Sequence, residues 1–286
     1  MSSRSTVDPA GPVVEMRDIS LGFPGVKALD GVSLRLLPGE VHALMGENGA
    51  GKSTLIKALT GVYGIDAGDI TVSGVARRFT GPRQAQDAGI STVYQEINLC
   101  TNLTVAENIL LGREPRRLGR IDHRAMNRRA GDLLSRLELD IDPRSVLGSH
   151  PIAVQQLVAI ARATAVSVRL LILDEPTSSL DTDEVAELFR VIRRLRDGGT
   201  AVLFVSHFLD QVYEISDRMT VLRNGRRVGE YRTTDLDRRR LVALMLGREL
   251  EALDEIAHTA AGHVAPPPRC RSSAHQVWPG CRGSSP

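Results

Sequence analysis

The sequence predicts an α/β fold: a mostly parallel sheet with an N-terminal antiparallel part and an inserted α-helical subdomain. Three short apolar runs are typical of strands buried on both faces, as in parallel sheets: 41–45, 170–173 and 201–205. Between the first two, residues 96–165 contain no long strand, and Arg124–Leu139 has leucines at helical spacing. We therefore expect a helical insertion at 96–165 and an antiparallel part around 13–41.

Composition limits the partners and the compartment. The chain has 286 residues, with 36 Lys and Arg against 34 Asp and Glu, a net charge of +2. This near balance argues against nucleic acid as a partner. Three cysteines form no disulfide framework, which fits a reducing cytosol. No apolar run reaches the roughly 20 residues that span a bilayer, and no secretory leader opens the sequence. Any contact with a membrane is therefore expected to come through a partner.

The first apolar run leads into a glycine-rich loop with the spacing of a phosphate-binding loop. Its glycines let successive N–H groups turn towards phosphate oxygens, and the helix that follows, predicted from Thr54 to Leu59, adds its positive dipole end. Lys52 would reach the β- and γ-phosphates, and the Ser53 hydroxyl would bind Mg²⁺. The alternative is a glycine-rich turn with an incidental lysine. The loop predicts a P-loop NTPase core that binds nucleotide through nine residues: Gly46, Glu47, Asn48, Gly49, Ala50, Gly51, Lys52, Ser53 and Thr54.

A second apolar run ends in two adjacent acids, Asp174 and Glu175. The carboxyl end of a central parallel strand lies beside the phosphate loop in such a fold. Asp174 would then hold Mg²⁺, and Glu175 would polarise an attacking water. A solvated strand end is the alternative interpretation of two neighbouring acids. The phosphate loop upstream favours a catalytic role.

The order of these motifs resembles the ATP-binding subunits of ATP-binding cassette (ABC) transporters. After the phosphate loop come a glutamine in Val93-Tyr94-Gln95-Glu96, the run Asp-Glu-Pro-Thr-Ser-Ser-Leu-Asp at 174–181, and a histidine after the strand 201–205. The resemblance covers about residues 13–250. It implies one ATPase domain at 13–250 with the helical subdomain at about 96–165. We expect the flanking segments 1–12 and 251–286 to be disordered, since the tail has no apolar period to support a strand or helix.

The resemblance also implies roles for single residues. Gln95 corresponds to the loop glutamine that senses Mg²⁺ and couples to the membrane partner, and His207 to the histidine that contacts the γ-phosphate. Asp181 resembles the acid at the interface between two cassettes. Phe23 resembles the ring on which adenine stacks, with a core position as its alternative. The implied catalytic residues are thus Glu175, His207 and Gln95, and the implied ligands of Mg²⁺ are Ser53, Gln95 and Asp174.

Four stretches are similar to the ABC ATPases that power uptake of simple sugars such as ribose, galactose and xylose: Phe23–Leu29, Thr104–Glu114, His207–Tyr213 and Ser216–Gly225. This similarity implies an ATP-hydrolysing subunit at the cytoplasmic face of the membrane. Its partners would be transmembrane permease subunits, a second cassette and, through the permease, a periplasmic or extracellular sugar-binding protein. Two alternatives stay open: a soluble ABC ATPase acting on ribosomes or DNA, and a remnant that binds ATP without turnover. The arginine-dense segment 113–129 is interpreted as a solvated face or permease contact, with nucleic-acid binding as the alternative.

Two features depart from that family. At the place of its Leu-Ser-Gly-Gly-Gln signature the chain has His150-Pro151-Ile152-Ala153-Val154. Pro151 has neither the hydroxyl nor the N–H of the serine, although proline is tolerated in a first helical turn. We expect slow hydrolysis at a site completed by this loop.

The second departure is length, because sugar-uptake ATPases of this group usually carry two cassettes. The residues from about 265 are interpreted as a shifted reading frame or a truncated gene. A metal site in the tail is the weaker alternative, because the spacing of its candidate ligands is poor: His263, Cys270, His275 and Cys281.

Overall fold

The computed structural model describes residues 11–94 and 99–247. Its central sheet has six strands in the order β12-β11-β3-β10-β9-β6. All neighbouring pairs are parallel except the edge pair β11–β12. The predicted α/β class is confirmed. The strands of this sheet are β3 (Val41–Met45), β6 (Ile90–Val93), β9 (Leu170–Asp174), β10 (Ala201–Val205), β11 (Arg218–Arg223) and β12 (Arg226–Arg232).

A second sheet is antiparallel and has the order β2-β1-β4-β5. Its strands are β1 (Val14–Phe23), β2 (Val26–Leu36), β4 (Ala67–Val72) and β5 (Val75–Arg77). The predicted antiparallel part around 13–41 was therefore too short, since β4 pairs with β1 from Val14↔Val72 to Ser20↔Ala67. This pairing joins segments on either side of the phosphate loop, and local sequence patterns carry no signal for such a long-range partner.

The helix that follows the glycine-rich loop, α1 (Lys52–Leu59), packs between the two sheets. Its Leu55 and Ile56 share an apolar cluster with the antiparallel sheet and with Leu44, Ile172 and Leu203 of the parallel sheet. Alternate residues of the same parallel strands face the opposite side and pack against most of the remaining helices, whereas Ala85 of the helix Pro82–Asp87 joins the first cluster. The parallel strands are thus buried on both faces, as their apolar composition requires.

The stretch 99–165 contains three helices and one short hairpin. These elements are α3 (Val105–Ile109), α4 (His123–Arg136), α5 (Ile152–Thr164) and the hairpin β7 (Arg116–Arg117) and β8 (Arg120–Ile121). The predicted helix Arg124–Leu139 was too long at its end, because Glu138 takes a positive φ of 58° and stops the helix. Thr104 and Glu107 form a capping box that begins α3.

Four other helices of the described chain lie around the parallel sheet. They are α2 (Pro82–Asp87), α6 (Thr182–Asp197), α7 (Leu209–Ile215) and α8 (Arg238–Leu246), with short 3₁₀ turns at Leu147–Ser149 and Thr233–Asp235. Two of them, α6 and α8, begin at aspartate caps. Asp181 begins α6 with a capping box to Glu184. The predicted tail at 251–286, its reading-frame interpretation and its metal alternative lie outside the described residues, and the proposed domain bounds stay predictions.

The amino ends of the parallel strands hold a buried group of charges. The carboxylate of Glu40 accepts two hydrogen bonds from the Arg218 guanidinium, at 3.0 and 2.9 Å. Arg218 also pairs with Glu230 on β12. His42 on β3 is fully buried, and its Nε2 lies 2.8 Å from the Thr220 hydroxyl. This cluster, Glu40, His42, Arg218 and Glu230, is called the basal cluster below.

Candidate functional site

The glycine-rich loop has a backbone that only glycine can adopt at two of its positions. Gly46 has a φ of 154°, and a Cβ there would lie 2.5 Å from the carbonyl oxygen of Leu222. Gly51 has a φ of 102°, and its Cβ would lie 3.1 Å from the carbonyl oxygen of Ala28. Any side chain at these positions would push the loop away from the strands that flank it.

The loop leaves a set of N–H groups available for an anion. Within the described chain, the N–H groups of Asn48, Gly49 and Gly51 donate to no backbone carbonyl, whereas Ala50 donates to Glu47 at 3.1 Å. Helix α1 begins directly after these residues, at Lys52 rather than at the predicted Thr54. Free amides and the positive end of a helix dipole together favour phosphate.

Lys52 places its ammonium inside this loop. Its Nζ donates to the carbonyl oxygens of Gly46 at 2.7 Å and Glu47 at 3.1 Å. Burial lowers the pKa of Lys52, while the nearby Glu175 and Asp174 carboxylates act in the opposite direction. A charge held by two carbonyls at the loop's centre is available to phosphate oxygens that enter the loop.

Asp174 ends the central strand β9 on the same side of the sheet as the loop. Burial raises the pKa of this carboxyl, and the Glu175 charge raises it further, whereas Lys52 and Lys57 lower it. The two acids predicted from the strand end therefore lie within electrostatic reach of the loop lysine. A cation bound between the Asp174 and Glu175 carboxylates would relieve the repulsion of their negative charges.

Glu175 is held in a strained conformation. Its φ of 51° is in the left-handed region, and its N–H donates to the carbonyl of Val205 at 2.9 Å. Its Oε2 lies 2.8 Å from Nδ1 of His207, the residue that follows strand β10 by two positions. An ionised Glu175 accepts this hydrogen bond, so the proton lies on Nδ1 and Nε2 remains for a second partner. The structure thus brings together Lys52, Asp174, Glu175 and His207.

The oxygen groups at the site suit a magnesium ion. Mg²⁺ prefers carboxylate, hydroxyl and phosphate oxygens and retains several waters. Asp174 supplies the carboxylate, and Ser53 on the first turn of α1 supplies an exposed hydroxyl. In the part of the chain that the structure describes, no group of three or more His, Cys, Asp or Glu side chains could hold a metal by itself. The residues present fit a metal that arrives with phosphate ligands. Gln95, the third implied ligand, lies outside the described residues.

Phe23 is not a core residue. Its side chain is 42% exposed, and its ring meets that of Tyr63 edge to face with centroids 5.2 Å apart. Tyr63 in turn lies 5.4 Å from the ammonium of Lys57 on α1. This contact links Phe23 to the helix of the phosphate loop and leaves ring surface free for a base. Tyr63 was not predicted, because a single aromatic residue after a helix carries no positional signal in one sequence.

Two further side chains near the acids have local roles. Asp181 is exposed and its carboxylate accepts from the N–H of Glu184 at 2.9 Å, so within this chain it begins a helix. Thr177 is buried and donates to the Gln211 side chain at 2.5 Å, which ties the segment after Glu175 to α7. Neither Thr177 nor Gln211 was singled out from the sequence, and only their spatial contact reveals them.

The segment at the place of the signature begins α5. Pro151 precedes the first helical residue with a φ of −56°, and no side chain caps the helix. Its carbonyl accepts from the N–H of Gln155 at 3.1 Å. His150 is held by Ser145, whose hydroxyl lies 2.7 Å from Nε2. The helix is intact, as expected, but Pro151 offers no N–H and no hydroxyl to an anion.

Comparisons with known proteins agree with this geometry. A sequence profile described as ABC transporter matches residues 29–178. The chain is 56% identical over 257 residues to the fructose import ATP-binding protein FruK of Bifidobacterium longum, covering 89% of this chain and 50% of that protein. It is 51% identical over 253 residues to the ribose import ATP-binding protein RbsA 1 of Rubrobacter xylanophilus, covering 88% of this chain and 50% of that protein. The chain spans about half the length of the curated relatives it matches.

Among solved structures, the fold is similar to a nucleotide-free ATP-binding cassette from an ABC transporter. The TM-score is 0.70 and the sequence identity 26%, over 77% of this chain and 91% of that chain.

Proposed function

The chain belongs to the ABC transporter family, and from this premise we propose that it binds and hydrolyses ATP to power an importer of simple sugars. The observation that carries the proposal is the meeting of Lys52, Asp174, Glu175 and His207 at one end of the parallel sheet. The names of the relatives, which import fructose and ribose, support the sugar class. The runner-up functions on ribosomes or DNA have no such support.

In this proposal the loop amides and Lys52 bind the phosphates, and the exposed ring of Phe23 stacks on the adenine. Ser53 and Asp174 would hold Mg²⁺, with Gln95 as a third ligand. A bound Mg²⁺ would supply positive charge that neutralises the charge developing on the phosphates. The preformed loop provides positioning, which supplies most of the rate enhancement in phosphoryl transfer.

Glu175 accepts the proton of the attacking water, and His207 orients the Glu175 carboxylate. The hydrogen bond from Nδ1 holds the Glu175 carboxylate, and the bond from the Glu175 N–H to the Val205 carbonyl holds its strained backbone in place. Nε2 of His207 then faces the γ-phosphate. Proton transfer of this kind contributes about 10²- to 10⁴-fold to a rate.

The partners are part of the proposal. A second cassette would complete each site with its own signature segment, permease subunits would receive the motion, and a sugar-binding protein would deliver the sugar. In 11–94 and 99–247 the structure has no helix with the length and apolarity needed to cross a bilayer. The proposed place of work is the cytoplasmic face of the membrane, reached through the permease. Since Pro151 replaces the signature serine, turnover in a pair of identical chains should be slow.

The test is ATP binding and Mg²⁺-dependent hydrolysis by the purified chain. Glu175→Gln should retain ATP affinity and lose about 10²- to 10⁴-fold in turnover. Glu214→Gln, which removes an exposed carboxylate that pairs with Arg193, is the control and should leave both unchanged. A Pro151→Ser, Ala153→Gly, Val154→Gln variant should raise turnover. Absence of ATP binding would overturn the nucleotide site, and binding without turnover in all variants would favour the remnant.

The sugar class needs a separate measurement in cells. Deletion of the gene should abolish uptake of one labelled simple sugar, such as fructose or ribose. The native chain should restore uptake and Glu175→Gln should not. If the Glu175→Gln chain restored sugar uptake, ATP hydrolysis by this chain would not be needed for import.

A further inference from the structure

The helical subdomain carries a strong local excess of positive charge. Residues 113–129 contain seven arginines and two carboxylates, a net charge of +5, whereas the whole chain has +2. The rest of the chain therefore carries −3. All seven arginines are exposed. The segment is called the arginine patch below.

The two carboxylates within the patch are occupied by backbone groups. Glu114 accepts from the N–H of Gly112 at 2.8 Å, and Asp122 accepts from the N–H of Ala125 at 2.9 Å as it begins α4. Within the described chain, none of the seven arginines forms a hydrogen bond or an ion pair with a carboxylate. In the described residues the patch therefore keeps a net positive charge that only Glu114 and Asp122 offset in part.

The hairpin β7–β8 places like charges opposite each other. Arg117 pairs with Arg120 across the two strands, an arrangement that destabilises a hairpin unless an anion lies nearby. An open cleft of about 500 Å³ runs along the hairpin to His123 and Arg124. Asp122 is the only carboxylate on this cleft, in the part of the chain that the structure describes.

The tip of the hairpin presents an apolar residue in an unfavourable conformation. Leu118 and Gly119 have φ values of 52° and 79°, the two-residue turn for which Asn-Gly or Asp-Gly is preferred. The Leu118 side chain is 96% exposed, the highest fraction among the large apolar residues described, and Ile121 beside it is 43% exposed. A leucine that is both strained and solvated gains nothing from this chain, which indicates a function outside it.

We propose that this hairpin and the first turns of α4 form a docking surface for a bilayer of anionic lipids. Leu118 and Ile121 would enter the boundary between head groups and acyl chains, and the surrounding arginines would contact lipid phosphates. Nucleic acid is the less favoured occupant, because single strands are bound by aromatic rings between basic residues and 113–129 contain no Phe, Tyr or Trp. The docking goes beyond the proposed ATPase and does not need nucleotide, so the two can fail separately.

The test is cosedimentation of the full chain with vesicles, without nucleotide. Binding to phosphatidylcholine mixed with phosphatidylglycerol should exceed binding to phosphatidylcholine alone and should fall as salt is added. Arg117→Gln with Arg120→Gln should weaken binding about tenfold or more, since each basic side chain at such a surface contributes substantially. Leu118→Asn should weaken it several-fold and leave the fold intact, because Asn suits this turn.

Matched controls come from the other exposed hairpin. Arg77→Gln with Arg78→Gln removes two exposed arginines, and Val75→Asn removes an exposed apolar residue, at the hairpin of β4 and β5. Both should bind vesicles like the native chain, as should Glu175→Gln. Equal binding to both vesicle types, or patch variants that behave like these controls, would overturn the proposal. Binding to a DNA duplex with no binding to vesicles would overturn it in favour of nucleic acid.

Discussion

At the carboxyl end of the parallel sheet Asp174 and Glu175 lie side by side, whereas at the amino end Glu40 and Glu230 share the guanidinium of Arg218. The pKa of Asp174 is raised, first by burial and then by Glu175. Burial would also raise the pKa of Glu40, but His42, the Leu37 N–H and Arg218 outweigh it and hold this pKa below its usual value. The parallel sheet thus carries a pair of neighbouring acids at its carboxyl end and ion-paired acids at its amino end.

The residues suited to binding and the residues suited to stability thus lie only about 17 Å apart, the length of a five-residue strand. Uncompensated acids, positive φ and free amides are unfavourable in the empty protein, and each suits a triphosphate with its metal. The basal cluster pairs its charges with one another and ties β3, β11 and β12 together, and an open pocket of about 720 Å³ lies beside Glu40 and Arg218. We interpret the carboxyl end as organised for binding and the amino end as organised for stability.

The largest expected effect comes from breaking the basal cluster. Glu40→Gln removes one partner of a buried ion pair and should lower the free energy of unfolding at neutral pH by about 3–5 kcal/mol. Because the folded pKa of Glu40 is depressed, its contribution is present above the unfolded pKa and is lost as pH falls through the folded pKa. Thermal unfolding of Glu40→Gln should therefore be less sensitive to acid than that of the native chain.

The control for this variant is Glu187→Gln, which removes an exposed pair with Arg190 on α6 and should change stability little. The ATP affinity of folded Glu40→Gln should stay native. An unchanged unfolding midpoint would show that the amino end does not stabilise the sheet as described.

A smaller effect is expected at Phe23, and it should fall on ATP affinity rather than on stability. Phe23→Ala should weaken ATP binding by about 1–3 kcal/mol, the contribution of a ring stacked on a base. The unfolding midpoint should barely change, because the side chain is 42% exposed. Isothermal titration with ATP measures the affinity. Val26→Ala, which truncates the exposed partner of Phe23 across the β1–β2 hairpin, should leave the affinity unchanged. If Phe23→Ala lowered the unfolding midpoint and left ATP affinity unchanged, the role of Phe23 would be structural.

The sequence predicted the parallel strands β3 and β10 to the residue and β9 to within its last residue, Asp174, because strands buried on both faces are apolar without interruption. It also placed Glu175 and His207 after neighbouring strands, and their contact follows from the adjacency of β9 and β10. The extent of the antiparallel sheet and the Tyr63 contact were missed. Both depend on segments far apart in the sequence, and neither periodicity nor spacing reports such contacts.

The smallest expected effect is a gain in stability at the carboxyl end of the sheet, opposite in sign to the loss expected at Glu40. Asp174→Asn should raise the free energy of unfolding slightly, by less than about 1 kcal/mol, because a partly exposed charge is screened. The raised pKa means that ionisation of Asp174 opposes folding, so native stability declines as pH rises through the folded pKa. The variant should lack this decline.

The same variant should lose the Mg²⁺ dependence of ATP binding, measured by titration with and without the metal. Asp132→Asn, an exposed position on α4, is the matched control and should change neither property. A drop in stability for Asp174→Asn would mean that the carboxylate is compensated within the chain after all.

The glycine-rich loop is fastened to both sheets at once. Gly46 lies against the Leu222 carbonyl of β11, Gly51 lies against Ala28 of β2, and the Gly225 N–H donates to the Ala50 carbonyl at 3.1 Å. Loops that bind ligands usually belong to the least stable part of a protein. Here the hydrogen-bonded amides of Ala50 and Gly225 should exchange slowly with solvent, whereas the free, exposed amides of Asn48 and Gly49 should exchange fast. A distant substitution that displaces the Leu222 or Ala28 backbone will weaken nucleotide affinity without touching a residue that contacts nucleotide.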